Sequence, residues 1–406
     1  MTIVRVKAAV TNPVEKADGS PLPFLGLEDL ESRTGRLLAT ELPTKEAEDS
    51  VLHRDGDVLF SKLRPYLAKS YLPVAQGSAT GELLVLRPGP KVDRRFLFYL
   101  TLSQPWIEWA NTTAYGTKMP RTSWELISGY RMWLPELEEQ RRIADFLDTE
   151  TARMDRLSSH LAQFDRDVQE RERAILGTLL NGQSAGVGES LGGWRWTPLM
   201  HLTDQLRPIM YGIVLPGPNV DNGVPIVKGG DVAANRLSAA SLNKTTREIE
   251  AGYARSRLKG GDLVIAIRGS VGEVAVVPDE LTGANLTQDA ARISIGSRVS
   301  PTWLRLVLES PAVVYQIQQR VTGATIKGIN IWDLKRVLIP TPDPDQQTAL
   351  AARASRELDK HEALRTRVAR HRKLITERRQ ALITAAVTGR FDVSAATGRG
   401  PEEGLR

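Results

Sequence analysis

The 406-residue chain contains no cysteine, which excludes disulfides and thiolate metal sites and fits a reducing, cytoplasmic setting. No apolar run reaches the length needed to span a bilayer, so no membrane partner is expected. The opening MTIVRVKAAVTNPVEKADGS has neither an uninterrupted apolar core nor a cleavage site, so no secretory leader is expected. The histidines at 53, 160, 201, 361 and 371 stand without metal-ligand spacing, and no metal is expected.

Complete catalytic motifs are also missing. Asn12-Pro13 begins like the Asn-Pro-Pro-aromatic motif of amino-methyltransferases, but Val14 and Glu15 break it. Gly323 and Gly328 have phosphate-loop spacing, yet Ile329 follows where lysine is required. Gly186-Val187-Gly188 is a glycine pair without the strand and helix of a cofactor loop. Asp57 and Asp262 each follow a glycine ahead of a strand. A nuclease carboxylate would need an acidic-x-Lys pair downstream, and turn aspartates are the favoured reading. The chain is therefore expected not to be an enzyme and to bind no cofactor of its own.

What is present is organised as a repeat. Hydrophobic content of 41% and charged content of 25% describe a folded chain, long enough for two or three domains. GDVLFSKLRP (56–65) aligns with GDLVIAIRGS (261–270), and LPFLGLEDLES (22–32) more loosely with VPIVKGGDVAA (224–234). SWELISGYRMWLP (123–135) aligns with IWDLKRVLIP (331–340), and RERAILGTLLNG (171–182) with RRQALITAAVTG (378–389). Nearly constant offsets over four blocks in the same order mean two copies of one unit. Each copy starts with a mixed part. Apolar runs bounded by Gly and Pro (58–60, 83–86, 263–267, 274–277) read as strands, and 94–103 and 302–310 read as helices ended by proline.

Each copy then enters a proline-free helical run, roughly 137–180 and 346–387, closed by Asn181-Gly182 and Thr388-Gly389. Either helix would be about 65 Å long, more than a globular domain needs. Met154, Leu157, Leu161, Phe164, Val168 and Ile175 fall on alternating three- and four-residue steps, as a pairing seam requires. Leu364, Val368, Ile375 and Leu382 are the apolar equivalents in the second copy, alternating with His361, His371 and Arg378. Residues 137–181 carry seven basic and ten acidic groups, net −3; residues 346–388 carry ten and four, net +6. Opposite charge favours pairing the helices with each other. The alternative, two independent surface helices, would leave much of each unsupported. The stretch between the copies, GQSAGVGESLGG (182–193), reads as a flexible linker.

The fold class expected is α+β: two mixed α/β domains in a pseudo-two-fold arrangement, separated by two long antiparallel helices forming a coiled coil. The boundaries expected are domains at 1–135 and 194–342, helices at 136–182 and 343–390, a linker at 183–193 and a flexible tail at 391–406.

The remaining chemistry suits binding, and the net charge of +6 leans toward a polyanion. Lys62, Arg64 and Tyr66 follow a strand of the first copy, and Tyr115, Thr117, Lys118 and Arg121 lie in a loop after a helix. Arg268 and Ser270 occupy the first of these places in the second copy; Thr322, Thr325 and Lys327 occupy the second, and Gln288 is added. Arg and Lys pair with phosphate or guanine edges, Gln with adenine, and Thr with phosphate or a thymine methyl. Singly each reads as an ordinary surface residue, but recurrence at equivalent places strengthens the group.

This pattern resembles the specificity subunits of Type I restriction–modification systems. The residues that carry the resemblance are PFLGLEDLESRTGRL (23–37), GDVLFSKLRPYLAKS (56–70), LEEQRRIADFLDTETARMD (137–155), GWRWTPL (193–199) and RRQALITAAVTG (378–389). TPDPDQQTALAARASRELD (341–359) keeps Gln346-Gln347 but lacks the Glu-Glu-Gln-Arg-Arg string. The resemblance implies a non-catalytic chain whose two target-recognition domains each read half of a bipartite, asymmetric site on double-stranded DNA. It implies helices that space the domains and dock two methyltransferase subunits, which carry S-adenosylmethionine, together with a motor-nuclease restriction subunit. Two other classes stay open: a DNA-binding module of a Type IIB-like system, and a coiled-coil scaffold for protein partners.

Overall fold

The computed structural model describes residues 2–17, 20–45, 50–178, 194–233, 236–323 and 327–393. The expected linker therefore lies outside the described residues, as does the Asn181-Gly182 stop. The chain is a mixture of strands and helices that divides into two compact units, Met1–Gln163 with Val368–Arg406, and Phe164–Arg367. Each unit thus takes part of both long helices, Leu137–Thr178 and Pro344–Val387.

In unit 1, Val10–Thr11, Leu83–Pro88, Val58–Ser61 and Ser70–Tyr71 form an antiparallel sheet in that order. A second sheet runs Thr44–Lys45, Leu22–Leu25, Gly77–Ala79, Val51–His53, with Leu22–Leu25 and Gly77–Ala79 parallel. Ile3–Arg5 pairs with Arg131–Trp133. Unit 2 repeats this plan. Its antiparallel sheet runs Met210–Tyr211, Ala290–Ile293, Leu263–Ala266, Val274–Val276. Its second sheet runs Lys244–Thr245, Val224–Val227, Asn285–Leu286, again with one parallel pair. Arg195–Pro198 pairs with Leu338–Thr341. Apart from Val51–His53, which has no counterpart in the unit 2 sheet among the described residues, strand order and the mixture of directions are shared, so the sequence repeat is a repeat of topology.

The prolines expected to end a helix instead begin the next one. Helices Arg94–Leu102 and Gln104–Thr112 follow one another in unit 1, and Pro301–Leu308 and Pro311–Gln318 in unit 2. Proline is tolerated in a first turn because its missing N–H would have no partner there.

Each core includes the long helices. In unit 1, Val58, Phe60, Leu84, Phe96 and Trp106 pack with Ile143 and Leu147 of the first long helix and Ile383, Ala386 and Val387 of the second. In unit 2, Leu263, Ile265, Trp303 and Val307 pack with Leu176 of the first and Ala351 and Ala354 of the second. Within unit 1 the helices run antiparallel: Asp155 pairs with Arg379 at 2.5 Å, while Phe146, further back, stacks at 5.5 Å on Phe391. Within unit 2, Arg365 reaches Asp165 at 3.3 Å and Glu172 at 3.4 Å.

The pairing seam differs from the expected one by a single residue at alternate positions. Met154 and Val168 are buried and Leu161, Ile175, Ile375 and Leu382 half-buried, with Val368 6% exposed. Leu157 and Phe164 are instead 49% and 42% exposed, and the inward neighbours are Ser158 and Asp165; beside Leu364, 36% exposed, Arg365 faces the first helix through its ion pairs rather than by burial. The expectation followed hydrophobicity. The helices use four-then-three steps from Met154, and Asp165 and Arg365 face each other because each meets its opposite charge. The second helix closes as expected: Gly389 adopts φ +71°, and Arg390 donates its N–H to Ala385. Phe391 and Val393, expected in the tail, pack in the unit 1 core. Residues 394–406 lie outside the described residues.

Candidate nucleic-acid interface

In unit 1 the central strand ends at Ser61, whose hydroxyl donates to the Leu63 carbonyl at 2.7 Å and fixes the exit of the chain. The Lys62 N–H donates to Glu82 O, and the Lys62 carbonyl accepts from Thr122 N–H. Arg64 N–H donates to Pro120 O at 2.7 Å, and Tyr115 and Arg121 exchange two bonds of 2.9 Å that close a loop. Thus Lys62, Arg64 and Tyr66 share one surface with Tyr115, Thr117, Lys118 and Arg121, which the sequence placed about fifty residues away. Arg64, Tyr66, Tyr115, Thr117, Lys118 and Arg121 are exposed.

Their charges are not equally free. Arg121 is paired with Glu82. Lys62 is half-buried, and burial holds its ammonium below the ordinary lysine value, with Glu82 opposing that shift. Arg64 has no side-chain hydrogen bond or ion pair among the described residues. Arg33, absent from the sequence candidates, donates Nη2 to Tyr66 O at 3.0 Å and N–H to Ala68 O at 3.2 Å. A contact spanning thirty-three residues leaves no local signal.

Unit 2 builds the same surface with other side chains. Ile267 and Arg268 both donate N–H to Asp289 O, Gly269 N–H donates to Lys327 O at 3.1 Å, and Thr322 and Gly328 exchange two bonds of 2.9 Å. Gly229 lies against this junction, since a Cβ there would stand 2.9 Å from Arg268 O and 3.0 Å from Asp289 O. Arg268, Ser270, Thr322 and Lys327 are exposed. Gln288 is half-buried beside Asp289, with its N–H donated to Ile213 O. Thr325 lies outside the described residues.

Asp57 and Asp262 are turn residues in both units. Asp57 accepts from Arg54 N–H at 2.9 Å and takes both ends of the Arg87 guanidinium; Asp262 accepts from Lys259 N–H at 2.8 Å and takes both ends of Arg207. Those hydrogen bonds hold Arg87 strongly in its charged form, with burial opposing them.

Comparison with known proteins adds an independent line. No family model matches the chain. The EcoBI Type I restriction enzyme specificity subunit of Escherichia coli is 25% identical over 279 residues, 65% of this chain and 58% of that relative. The EcoKI specificity subunit of Escherichia coli strain K12 is 24% identical over 294 residues, 66% of this chain and 59% of that relative. The chain is thus similar in sequence to Type I specificity subunits. It matches less than two thirds of the length of these subunits. A chain solved in work on complex assembly and conformational transition of the type I R-M system has the same fold. Its TM-score is 0.72 at 21% identity, over 96% of this chain and 98% of that one.

Both long helices share a further feature near their starts. Gln140 is fully buried: its Nε2 donates to Lys91 O and Pro135 O, and its Oε1 accepts from Asp93 N–H at 2.8 Å. Gln347 repeats every bond, to Arg298 O, Pro342 O and Ser300 N–H at 2.9 Å. Asp93 and Ser300 are in turn the residues that cap the first domain helix of each unit. The second copy lacks the full Glu-Glu-Gln-Arg-Arg string but keeps a glutamine that ties helix to domain.

Proposed function

We propose that this chain is the DNA sequence-specificity subunit of a Type I restriction–modification complex. On this reading each unit reads one half of a bipartite, asymmetric site on double-stranded DNA, and the chain itself carries out no chemistry. Two methyltransferase subunits, holding S-adenosylmethionine, would assemble on it and methylate adenine, with a motor-nuclease subunit joining to cleave unmodified DNA in the cytoplasm. The observation that carries the proposal is one surface built twice. A strand-end turn is hydrogen-bonded to a closed loop in both units, with Leu63, Arg64 and Arg121 in one and Arg268, Gly269 and Gly328 at the same places in the other. Identical scaffolds with different exposed side chains suit two half-sites of different sequence, whereas a symmetric homodimer would require a palindrome.

The test is binding of the full chain, with the proteins that copurify with it, to randomised duplex DNA. Selection of a two-part sequence is expected, with affinity falling steeply as salt rises. Copurification of a methyltransferase subunit is expected in the same preparation. Binding without sequence preference would refute the proposal.

A further inference from the structure

We infer that Arg64 reads a guanine in the half-site assigned to unit 1. The inference rests on the function proposed above and concerns which residue sets the sequence preference. It starts from backbone conformation. Among the described residues, the non-glycine residues at positive φ are Arg33 (65°), Arg64 (49°) and Ala68 (46°). All three meet at one turn: Arg64 and Ala68 flank Pro65–Leu67, and Arg33 N–H donates to Ala68 O. The left-handed region is unfavourable for residues with a Cβ, and such strain persists where surrounding structure enforces it.

Unit 2 shows what this place asks of the chain. Gly269, at the equivalent position, has φ 75° and donates its N–H to Lys327 O, just as Arg64 donates to Pro120 O. The backbone requirement is thus met in unit 2 by glycine, which adopts it freely. Nothing lies within 4 Å of where a Cβ on Gly269 would stand, so glycine is not required there by crowding. Unit 1 keeps an arginine in the same unfavourable conformation, and its guanidinium is exposed and without a protein partner among the described residues. The nearby Arg121 is neutralised by Glu82, and Arg33 is engaged on the Tyr66 carbonyl.

A guanidinium held out in this way suits the O6 and N7 pair of a guanine, the most common arginine contact in the major groove. The difference between the units favours a base over a phosphate. Phosphate contacts serve any sequence, and both units would want them at equivalent places, whereas base contacts must differ between unlike half-sites.

The experiment compares the full-length wild type with R64G and R64K, each with its copurifying proteins, by selection from randomised duplex DNA and by salt titration on the wild-type site. R64G is expected to melt at or above the wild-type temperature, because glycine takes the left-handed conformation freely. Both variants are expected to lose the preference for guanine at one position of one half-site and to leave the other half-site unchanged. Affinity for the wild-type site should fall about tenfold, at the size of one bidentate base contact. The dependence of log affinity on log salt should keep its slope. R64G retaining the full preference would overturn the inference. So would a uniform loss in R64G with the slope reduced by about one and rescue by R64K, which marks a phosphate contact. A wild type that selects no sequence would remove the proposed function itself, a result distinct from either.

Discussion

His53 lies at the end of a unit 1 strand, 4% exposed, and neither ring nitrogen has a hydrogen-bond partner among the described residues. Burial pushes its pKa down from 6.5 to about 4, with Asp57 opposing. Between those values the unfolded chain binds a proton that the folded chain does not, so stability falls as pH drops from 6.5 toward 4. A shift of this size corresponds to roughly 3 kcal/mol across the window. Urea unfolding of the wild type at pH 7 and pH 5 should show the loss, and His53→Phe, which cannot titrate, should flatten the dependence. An equal loss in that variant would place the effect elsewhere. The sequence listing of five histidines without metal spacing did not single out this one, because burial at position 53 comes from Gly77 and its strand, which are distant in the chain.

At the scale of elements, the two glutamines make the strongest prediction. Gln140→Ala would leave the Asp93 N–H and the Lys91 and Pro135 carbonyls without their partner, and Gln347→Ala would do the same in unit 2. Each should cost about 2–4 kcal/mol, the range for unsatisfied buried polar groups lost together. Denaturant titration followed by a probe in each unit should find each loss confined to its own unit. A loss below about 0.5 kcal/mol for either variant would mean that the bonds do not hold helix to domain. The seam correction leads to a second contrast. Phe164→Ser should change stability by less than about 0.5 kcal/mol, since Phe164 is 42% exposed. Val168→Ser, at a residue 3% exposed, should cost about 2 kcal/mol in the same unfolding measurement. The reverse ranking would restore the hydrophobic seam read from the sequence. Period and length of both helices were legible because no proline interrupts either interior. Phase was not legible, because Asp165 and Arg365 read as solvent-facing charges until their partners are known.

At the scale of the whole molecule, the proposal makes the long helices set the spacing of the half-sites. Helix Leu137–Thr178 has 42 residues and helix Pro344–Val387 has 44. Deleting seven residues from each keeps the helical face in register to within about 20° and removes about 10 Å of rise. The selected DNA site should then lose about three base pairs between its halves, with each half unchanged, because one DNA turn spans about 34 Å. Mapping by selection from randomised duplexes checks this. A change in the sequence of either half, with spacing retained, would contradict a spacer role.

By itself the sequence determined the repeat, the mixed composition of each copy and the two long helices. These rest on local pattern: alternation for strands, unbroken periodicity for helices, and near-constant offsets between copies. It also brought forward most residues of the candidate interface, because they recur at matching places. Tertiary structure decided which of them are free. Arg121 and Lys62 are cations in the sequence like Arg64, yet Glu82 and burial reduce two of the three. It also decided that Ser158 and Asp165 turn inward, that Arg365 faces the first helix, and that a buried glutamine ties each helix to its domain. The physical reason is the same in each case. The environment of a charge or an amide is set by groups brought close in space from far along the chain, and no local pattern records them.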